Sequence, residues 1–234
     1  MEGIAPPVLT IDGPSASGKG AVSEFLSTKT GFNYLDSGLL YRLFGLEVLS
    51  QGISLSVLAD DLSESKRLVE CLETKLGGGS KGNKTRVLSP ISLVGASDVR
   101  TEQAGAFASK VAKIPLVRKA LLDLQRSFRV RPGLIADGRD MGTTVFPDAL
   151  LKIFLTASPS RRAERRHKQL KDKGIDVSLA TLEKELTNRD YYDSTRGESP
   201  LKLSEDSVII DSTDLDVEQV SLLIEKKLGD ILEN

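Results

Sequence analysis

Cysteine and long apolar runs are the most informative absences from this chain of 234 residues. The single cysteine, Cys71, excludes an internal disulfide framework, which fits a reducing compartment. No run reaches the roughly 18 apolar residues that a membrane-spanning helix needs. The first residues include Glu2 and no basic stretch, so a signal peptide is not expected. We therefore expect a cytoplasmic protein without membrane contact.

An excess of charge of one sign is also lacking. The formal net charge is -1, so the molecule as a whole has no field that would attract nucleic acid. Any anion site must therefore come from a local cluster of residues. Hydrophobic residues make up 39% of the chain and charged residues 28%, which is typical of a globular protein with one sizeable core.

Short apolar runs separated by helical patterns indicate the fold class. The runs that we interpret as buried strands are residues 8–11, 134–136, 150–155 and 208–210. Helical spacing of apolar residues follows in the intervening segments, for example at Ala21, Val22, Phe25 and Leu26. This alternation predicts an α/β protein with a parallel sheet flanked by helices.

Residues 56–105 differ from this pattern. An amphipathic stretch, residues 58–73, leads into the glycine-rich residues 77–83, whose composition marks a loop. Residues 85–88 and 91–94 could then form a small antiparallel element. We interpret the region as an insertion into the α/β core, with a tethered mobile arm as the alternative.

The stretch IDGPSASGKGA, residues 11–21, follows the first predicted strand and consists almost entirely of small residues around one lysine. Gly13 and Gly18 are five residues apart and Lys19 follows directly, which is the spacing of a phosphate-binding loop between a strand and a helix. Small residues let backbone N–H groups approach phosphate oxygens, and the helix directs its positive end to the same place. An ordinary glycine-rich turn is the alternative. The hydroxyl that usually follows the lysine and binds Mg²⁺ is missing, because Gly20 and Ala21 stand there.

Two further clusters follow predicted strands or begin helices. In LDSGLLYR, residues 35–42, Asp36 and Ser37 are good helix N-cap residues, and a helix starting there places Ser37, Tyr41 and Arg42 near one end. A plain capped helix explains this cluster equally well. Residues 137–143, DGRDMGT, come straight after a strand, where ligands bind in open α/β sheets. We therefore favour a functional turn over a solvated loop at that place.

A basic stretch at residues 159–173 contains seven Lys or Arg residues against two acids. Arg162, Arg165 and Arg166 share one helical face. A solvated helix, a nucleic-acid patch and a lid that neutralises a transferring phosphoryl group are the three readings. Aromatic residues do not interleave with these charges, which disfavours the nucleic-acid reading.

Arg189, Asp193 and Arg196 would also align on one side of a helix. A surface salt bridge between Arg189 and Asp193 is the simpler interpretation of that spacing.

Taken together, these stretches resemble the bacterial-type cytidylate kinases across nearly the whole chain. The matching segments, in chain order, are IDGPSASGKG, LDSGLLYR, RTEQAGAFASKVAKIPLVRKALL, IADGRDMGTTVFPDA, RRAERR and NRDYYDSTR. The resemblance implies transfer of the γ-phosphoryl group of ATP, with Mg²⁺, to CMP or dCMP. It also implies a five-stranded parallel core with a nucleoside-monophosphate-binding insertion and a short lid. The core would comprise residues 1–36, 119–157 and 174–234, the insertion 37–118 and the lid 158–173.

The resemblance carries over to individual positions. The residues expected to bind ATP are Gly13, Pro14, Ser15, Ala16, Ser17, Gly18, Lys19, Gly20 and Ala21. Those expected to offset charge during transfer are Lys19, Arg139, Arg162 and Arg166. Those expected to bind the acceptor nucleotide are Ser37, Tyr41, Arg42, Ser109, Arg118, Arg139, Asp140, Arg189, Asp193 and Arg196.

Within that acceptor set, Ser109, Arg118 and Asp140 would read cytosine, whose amino group and two acceptors suit a carboxylate, a guanidinium and a hydroxyl. We assign no protein ligand to Mg²⁺, with Asp12 and Asp137 as candidate outer-shell partners. The enzyme is expected to act as a monomer.

Three other functions remain as alternatives. A different nucleoside monophosphate kinase would share the loop but not the base preference. A GTP-binding module usually needs an Asn-Lys-x-Asp run, and Asn83-Lys84 is followed here by Thr85 and Arg86. An RNA-binding protein would use the basic stretch and transfer no phosphoryl group.

Overall fold

The computed structural model describes residues 5–76, 87–88, 99, 101–172 and 174–232. Within those residues the elements are β1 (Val8–Asp12), α1 (Lys19–Thr30), β2 (Asn33–Asp36), α2 (Ser37–Ser50), α3 (Leu55–Asp60), α4 (Leu62–Lys75), β3 (Val87–Leu88), α5 (Glu102–Val111), α6 (Pro115–Arg126), β4 (Leu134–Gly138), a π-helical turn (Met141–Val145), β5 (Leu151–Thr156), α7 (Pro159–Lys171), α8 (Leu179–Thr195), β6 (Val208–Asp211) and α9 (Val217–Leu232). No helix in the described part of the chain combines the length and apolarity that a membrane crossing requires.

The strands form a sheet in the order β3–β2–β4–β1–β5–β6. Neighbouring strands run parallel, with Leu9 opposite Leu151 in the β1–β5 pair and Ile153 opposite Val208 in the β5–β6 pair. All four apolar runs predicted as strands are confirmed as β1, β4, β5 and β6. The α/β class with a helix-flanked parallel sheet is therefore confirmed.

The strands β2 and β3 were not predicted as members of this sheet. Val87–Leu88 pairs in parallel with β2, with Tyr34 opposite Val87, whereas the sequence allowed a small antiparallel element of residues 85–88 and 91–94. A strand of two residues is too short to show a periodic pattern, so its direction could not be inferred. The glycine-rich residues 77–83 and residues 91–94 lie outside the described part of the chain.

The chain divides into two compact units. One comprises residues 1–7 and 31–134, and the other comprises residues 8–30 and 135–234. The sequence predicts a different division, into a core, an insertion and a lid, and the boundaries of those three parts stay a prediction.

In the unit that contains β1, that strand is buried along its whole length, as expected for the interior of a parallel sheet. Helix α1 packs against α9, and α7 packs against α8. The α7–α8 contact has an apolar core to which Ala16 of the loop after β1 also packs, and its buried members are Ala163, Leu170, Leu182 and Leu186. The loop after β1 is thereby anchored to the α7–α8 pair.

In the unit that contains α2, that helix packs against α5, and α4 packs against α6. Asp36 caps α2 as predicted, since its Oδ1 accepts a hydrogen bond of 2.8 Å from the Leu39 N–H. The buried carboxylate of Glu47 on α2 pairs with Lys75 at the end of α4 at 2.5 Å. The Asp36 cap fixes the first turn of α2, and the Glu47 ion pair links the C-terminal part of that helix to α4.

Candidate active site

The glycine loop connects the end of β1 to the start of α1, as its spacing predicts. A Cβ atom at Gly13 would lie 2.1 Å from the carbonyl oxygen of Leu155 on β5, so only glycine fits this close approach. Ala16 adopts a left-handed conformation with φ 59°, which a non-glycine residue does at a cost of about 1 kcal/mol. Gly18 has φ 100°. The loop therefore has a backbone shape that depends on its small residues.

Lys19 turns its ammonium group back into this loop. The side chain is buried, and Nζ donates a 2.7 Å hydrogen bond to the carbonyl oxygen of Pro14. Burial, with the nearby charge of Arg139, lowers the Lys19 pKa to about 7 against the opposing effect of Asp137 and Asp12. A buried lysine whose amino group points into a loop of this shape is well suited to receive a phosphate group.

Asp12 at the end of β1 links the loop to the residues after β4. One carboxylate oxygen accepts from the Met141 N–H at 2.9 Å and the other from the Gly142 N–H at 2.8 Å. Burial raises the Asp12 pKa to about 6, although these two hydrogen bonds act to lower it. Both oxygens of Asp12 are thus engaged by the chain itself.

The segment predicted as a charged turn is a strand end followed by a π-helical turn. Asp137 and Gly138 belong to β4, and the Phe146 N–H donates to the Met141 carbonyl at 2.7 Å, a five-residue spacing. Single π-helical turns occur frequently at functional sites. A Cβ atom at Gly142 would lie 2.8 Å from Thr10 Oγ1, so this turn packs directly on β1.

Arg139 connects the loop to α8. Its Nε donates to Asp193 Oδ2 at 2.9 Å, Nη2 to Ser15 Oγ at 2.7 Å, and Nη1 to the Gly138 carbonyl at 3.2 Å. Burial acts to lower the Arg139 pKa, but the charge and hydrogen bond of Asp193, together with the charges of Asp190 and Asp137, outweigh burial and raise it. Burial likewise acts to raise the Asp193 pKa, but the charges of Arg139, Arg189 and Arg196, together with the hydrogen bond from Arg139, outweigh burial and lower that pKa. Both members of the pair are therefore charged.

Arg162 lies near the start of α7 and is buried, which the solvated-helix reading did not predict. Its guanidinium donates to the carbonyl oxygens of Ala157 at 3.1 Å and Ser15 at 3.2 Å. It also forms an ion pair with Asp190 of α8, whose Oδ1 accepts from the Ser15 N–H at 3.4 Å. Asp190, Arg139 and Arg162 thus contact Ser15 directly, and Asp193 is linked to it through Arg139.

Arg165 also contacts the loop, although the sequence did not single it out as a site residue. Its Nη1 donates to the Ser17 carbonyl at 3.1 Å and to Ser212 Oγ at 3.0 Å. Ser212 in turn donates to the same Ser17 carbonyl at 2.9 Å. Arg166, which was expected to act with Arg162, donates to Gln169 on its own helix at 3.3 Å. The signal for Arg165 was present in the shared helical face, and no pattern indicated Ser212 or Asp190.

Asp140 and Arg196 are both buried and approach each other, with 3.9 Å between Asp140 Oδ1 and Arg196 Nη2. Arg196 Nε donates to the Ser199 carbonyl at 2.7 Å. The spacing of Arg189, Asp193 and Arg196 had favoured a surface salt bridge between the first two. In the structure Asp193 is buried and bonds to Arg139, so the surface interpretation is wrong.

The remaining predicted acceptor residues lie in the unit that contains α2. Ser37 is buried at the first position of α2, where its Oγ accepts from Gln125 Nε2 at 3.0 Å. The Arg118 guanidinium lies 5.5 Å from the centre of the Tyr41 ring, in a cation–π arrangement. Helices α2 and α6 therefore bring Ser37, Tyr41 and Arg118 into one neighbourhood.

Arg42 and Ser109 are both linked to α5 or to the chain before it. Arg42 Nη1 donates to the carbonyls of Val99 at 3.0 Å and Thr101 at 3.2 Å. Ser109 Oγ donates to the Gly105 carbonyl at 3.1 Å, and a Cβ atom at Gly105 would lie 2.9 Å from Arg42 Nη2. A small residue at position 105 thus makes room for the guanidinium.

A helix-flanked parallel sheet, with a glycine loop between strand and helix and a buried lysine in that loop, defines a nucleotide-binding protein of the phosphate-loop class. Within that class, the chain belongs to the cytidylate kinase family, whose sequence model matches residues 9–228.

Full-length relatives carry the same family name. The cytidylate kinase of Stutzerimonas stutzeri (strain A1501) is 47% identical over 224 residues, which cover 96% of each chain. That of Pseudomonas entomophila (strain L48) is 48% identical over 226 residues, covering 95% of this chain and 96% of the relative. That of Methylococcus capsulatus (strain ATCC 33009 / NCIMB 11132 / Bath) is 47% identical over 214 residues, covering 92% and 93%.

Proposed function

We propose that this protein transfers the γ-phosphoryl group of ATP to CMP or dCMP and so forms ADP with CDP or dCDP. The observation that carries this conclusion is the glycine loop, which contains the buried Lys19. Arg139 and Arg162 both donate hydrogen bonds to Ser15 of the same loop. Membership of the cytidylate kinase family supports the acceptor. Phosphoryl transfer depends mainly on positioning and on neutralising charge, which an arginine-lined loop provides.

The donor site is the glycine loop, residues 13–21. Backbone N–H groups of the loop and the start of α1 would bind the phosphates of ATP, and Lys19 would pair with the β- and γ-phosphates. Gly20 and Ala21 offer no hydroxyl, so the loop itself supplies no side-chain ligand for a metal ion.

The substrate is accordingly the Mg²⁺ complex of ATP. Among the described residues, no three His, Cys, Asp or Glu side chains cluster as a metal cage. Both Asp12 oxygens accept backbone N–H groups, so Asp12 is better suited to an outer-shell role than to direct coordination. Mg²⁺ commonly binds to substrate phosphates and to water, with few protein ligands, and it offsets phosphate charge when bound.

Transfer proceeds by in-line attack of an acceptor phosphate oxygen on the γ-phosphorus of ATP. The attacking oxygen is already largely ionised, so no general base is needed. Lys19, Arg139, Arg162 and Arg166 offset the charge that spreads over the transferring group, which is the main task of the protein in such reactions. Closure of residues 158–173 over the donor would exclude water and limit hydrolysis of ATP.

The acceptor roles follow from the chemistry of CMP. We assign Ser109, Arg118 and Asp140 to cytosine, because a carboxylate accepts from its amino group while a guanidinium and a hydroxyl donate to its oxygen and ring nitrogen. Burial of Asp140 supports this role, since a base without an amino group would leave the buried carboxylate with one hydrogen bond fewer than cytosine does.

The rest of CMP would bind to the remaining candidates. We assign Arg42, Arg139 and Arg196 to its phosphate, because the planar guanidinium pairs with two phosphate oxygens at once. Arg189 and Asp193 would meet the sugar hydroxyls. Ser37 and Tyr41 of α2 would contribute further contacts to the acceptor nucleotide.

The RNA-binding alternative is disfavoured by the burial of Arg162, which is 5% exposed and directed at the loop.

A different nucleoside monophosphate kinase remains the nearest alternative. The test is a panel of CMP, dCMP, UMP and AMP, each with Mg²⁺ and ATP, with ADP release and diphosphate product both measured. We expect conversion of the two cytosine nucleotides by a monomeric cytoplasmic enzyme. Conversion of AMP or UMP in preference to both would contradict the assignment, and ADP release without formation of CDP or dCDP would contradict kinase activity on the cytosine nucleotides.

A further inference from the structure

We propose that the Asp190 carboxylate is an internal anion that competes with the phosphates of the donor nucleotide for the glycine loop and for Arg162. The proposal rests on the proposed function, because it concerns the same donor site. It gives a role to a residue that neither catalysis nor acceptor binding has used.

The two oxygens of Asp190 contact two different phosphate-type donors. One oxygen forms the ion pair with the Arg162 guanidinium, and the other accepts from the Ser15 N–H of the loop at 3.4 Å. A guanidinium and a loop N–H are the groups that bind phosphate oxygens in such sites. The carboxylate therefore already holds two donors that a phosphate chain would use.

Arg162 depends on Asp190 for its counter-charge. Its other partners, the carbonyl oxygens of Ala157 and Ser15, are neutral. A buried guanidinium is costly without an anion beside it, so Arg162 must pair either with Asp190 or with a phosphate. Once a phosphate has taken that place, Asp190 faces it as a like charge, and each anion weakens the binding of the other.

The length of the Ser15 contact and the exposure of Asp190 explain why a phosphate could displace this carboxylate. At 3.4 Å it is a long hydrogen bond, and the Asp190 side chain is 21% exposed, whereas that of Arg162 is 6% exposed. The carboxylate can thus regain water when it leaves, and the guanidinium cannot. Asp193, one turn further along α8, pairs with Arg139 at 2.9 Å, so the same helix provides two such counter-ions.

The test is equilibrium binding of ADP and of inorganic tripolyphosphate to the full-length protein by calorimetry. Asp190→Asn removes the charge and keeps the shape, so we expect the Kd of both ligands to fall by about threefold to tenfold. Glu185→Gln is the matched control, because Glu185 is an exposed carboxylate on the same helix, and its Kd values should equal those of the parent.

A double-mutant cycle shows whether the gain acts through the arginine. In an Arg162→Gln background, the added Asp190→Asn change should tighten ADP binding much less than it does in the parent. Asp190→Ser removes the same charge with a smaller polar side chain and should tighten binding similarly, which keeps the test intact if the Asn variant fails to fold.

Equal or weaker binding of ADP by a folded charge-removing variant would overturn the proposal, as would an equal gain in Glu185→Gln. The kinase panel on the unchanged protein is a separate measurement. If the parent binds ADP and phosphorylates CMP while Asp190→Asn shows no gain, only the role of Asp190 fails.

Discussion

Protonation of Lys19 gives the sharpest prediction for the donor site. The structure lowers its pKa from 10.5 to about 7, primarily by burial. At pH 8, Lys19 is therefore neutral in about nine-tenths of the protein molecules. A bound polyphosphate would restore the ordinary preference for the charged form. Binding of ADP at pH 8 should therefore be accompanied by the uptake of about 0.9 proton, since the ligand phosphates are already ionised at that pH.

Calorimetric titrations of ADP in two buffers with different ionisation enthalpies measure this uptake directly. Lys19→Arg is the informative control, because a guanidinium stays protonated throughout and proton uptake should vanish while ADP still binds. Uptake near zero in the parent protein, or an unchanged uptake in the arginine variant, would refute the reasoning.

The same pKa shift has a consequence for stability whose sign can be worked out. Because the Lys19 pKa is lower in the folded protein than its ordinary value of 10.5, the unfolded chain binds more protons between about pH 7 and that value. The contribution of Lys19 to the free energy of unfolding should therefore rise with pH across this interval. Chemical denaturation of the parent and of Lys19→Met, compared at pH 7 and pH 9, isolates that contribution.

Three further predictions concern packing, specificity and turnover. Gly142→Ala should lower the free energy of unfolding by about 1–3 kcal/mol in denaturant titrations, because the new Cβ would lie 2.8 Å from Thr10 Oγ1. Gly229→Ala is the control and should not destabilise the protein, because a Cβ there would have nothing within 4 Å. Asp140→Ala should reduce the preference for CMP over UMP in kcat/KM, and unchanged selectivity would exclude base reading at that position. Arg162→Ala should lower kcat more than it raises the KM for CMP, and a rise in KM with kcat untouched would contradict its role in transfer.

Much of the fold and of the donor site was accessible from local patterns in the sequence. The spacing of Gly13, Gly18 and Lys19 specified a loop between strand and helix, because its shape depends on backbone angles within a few residues. The Asp36 cap and four of the six strands in the described part of the chain followed from similarly short-range chemistry. The two-residue strand β3 could not be placed, because its pairing depends on a distant strand.

The partners of the charged residues were decided by the tertiary structure alone. Arg139 bonds to Asp193 and to Ser15, which are 54 and 124 residues away along the chain. Asp190 and Arg162 likewise find each other only because α7 packs against α8. A pattern of charges along a sequence states which groups are present, whereas the depth of burial and the nearest opposite charge depend on how separate elements pack. Sequence by itself therefore determined that a phosphate-binding loop exists here, and only the packed structure decided which arginines and carboxylates surround it.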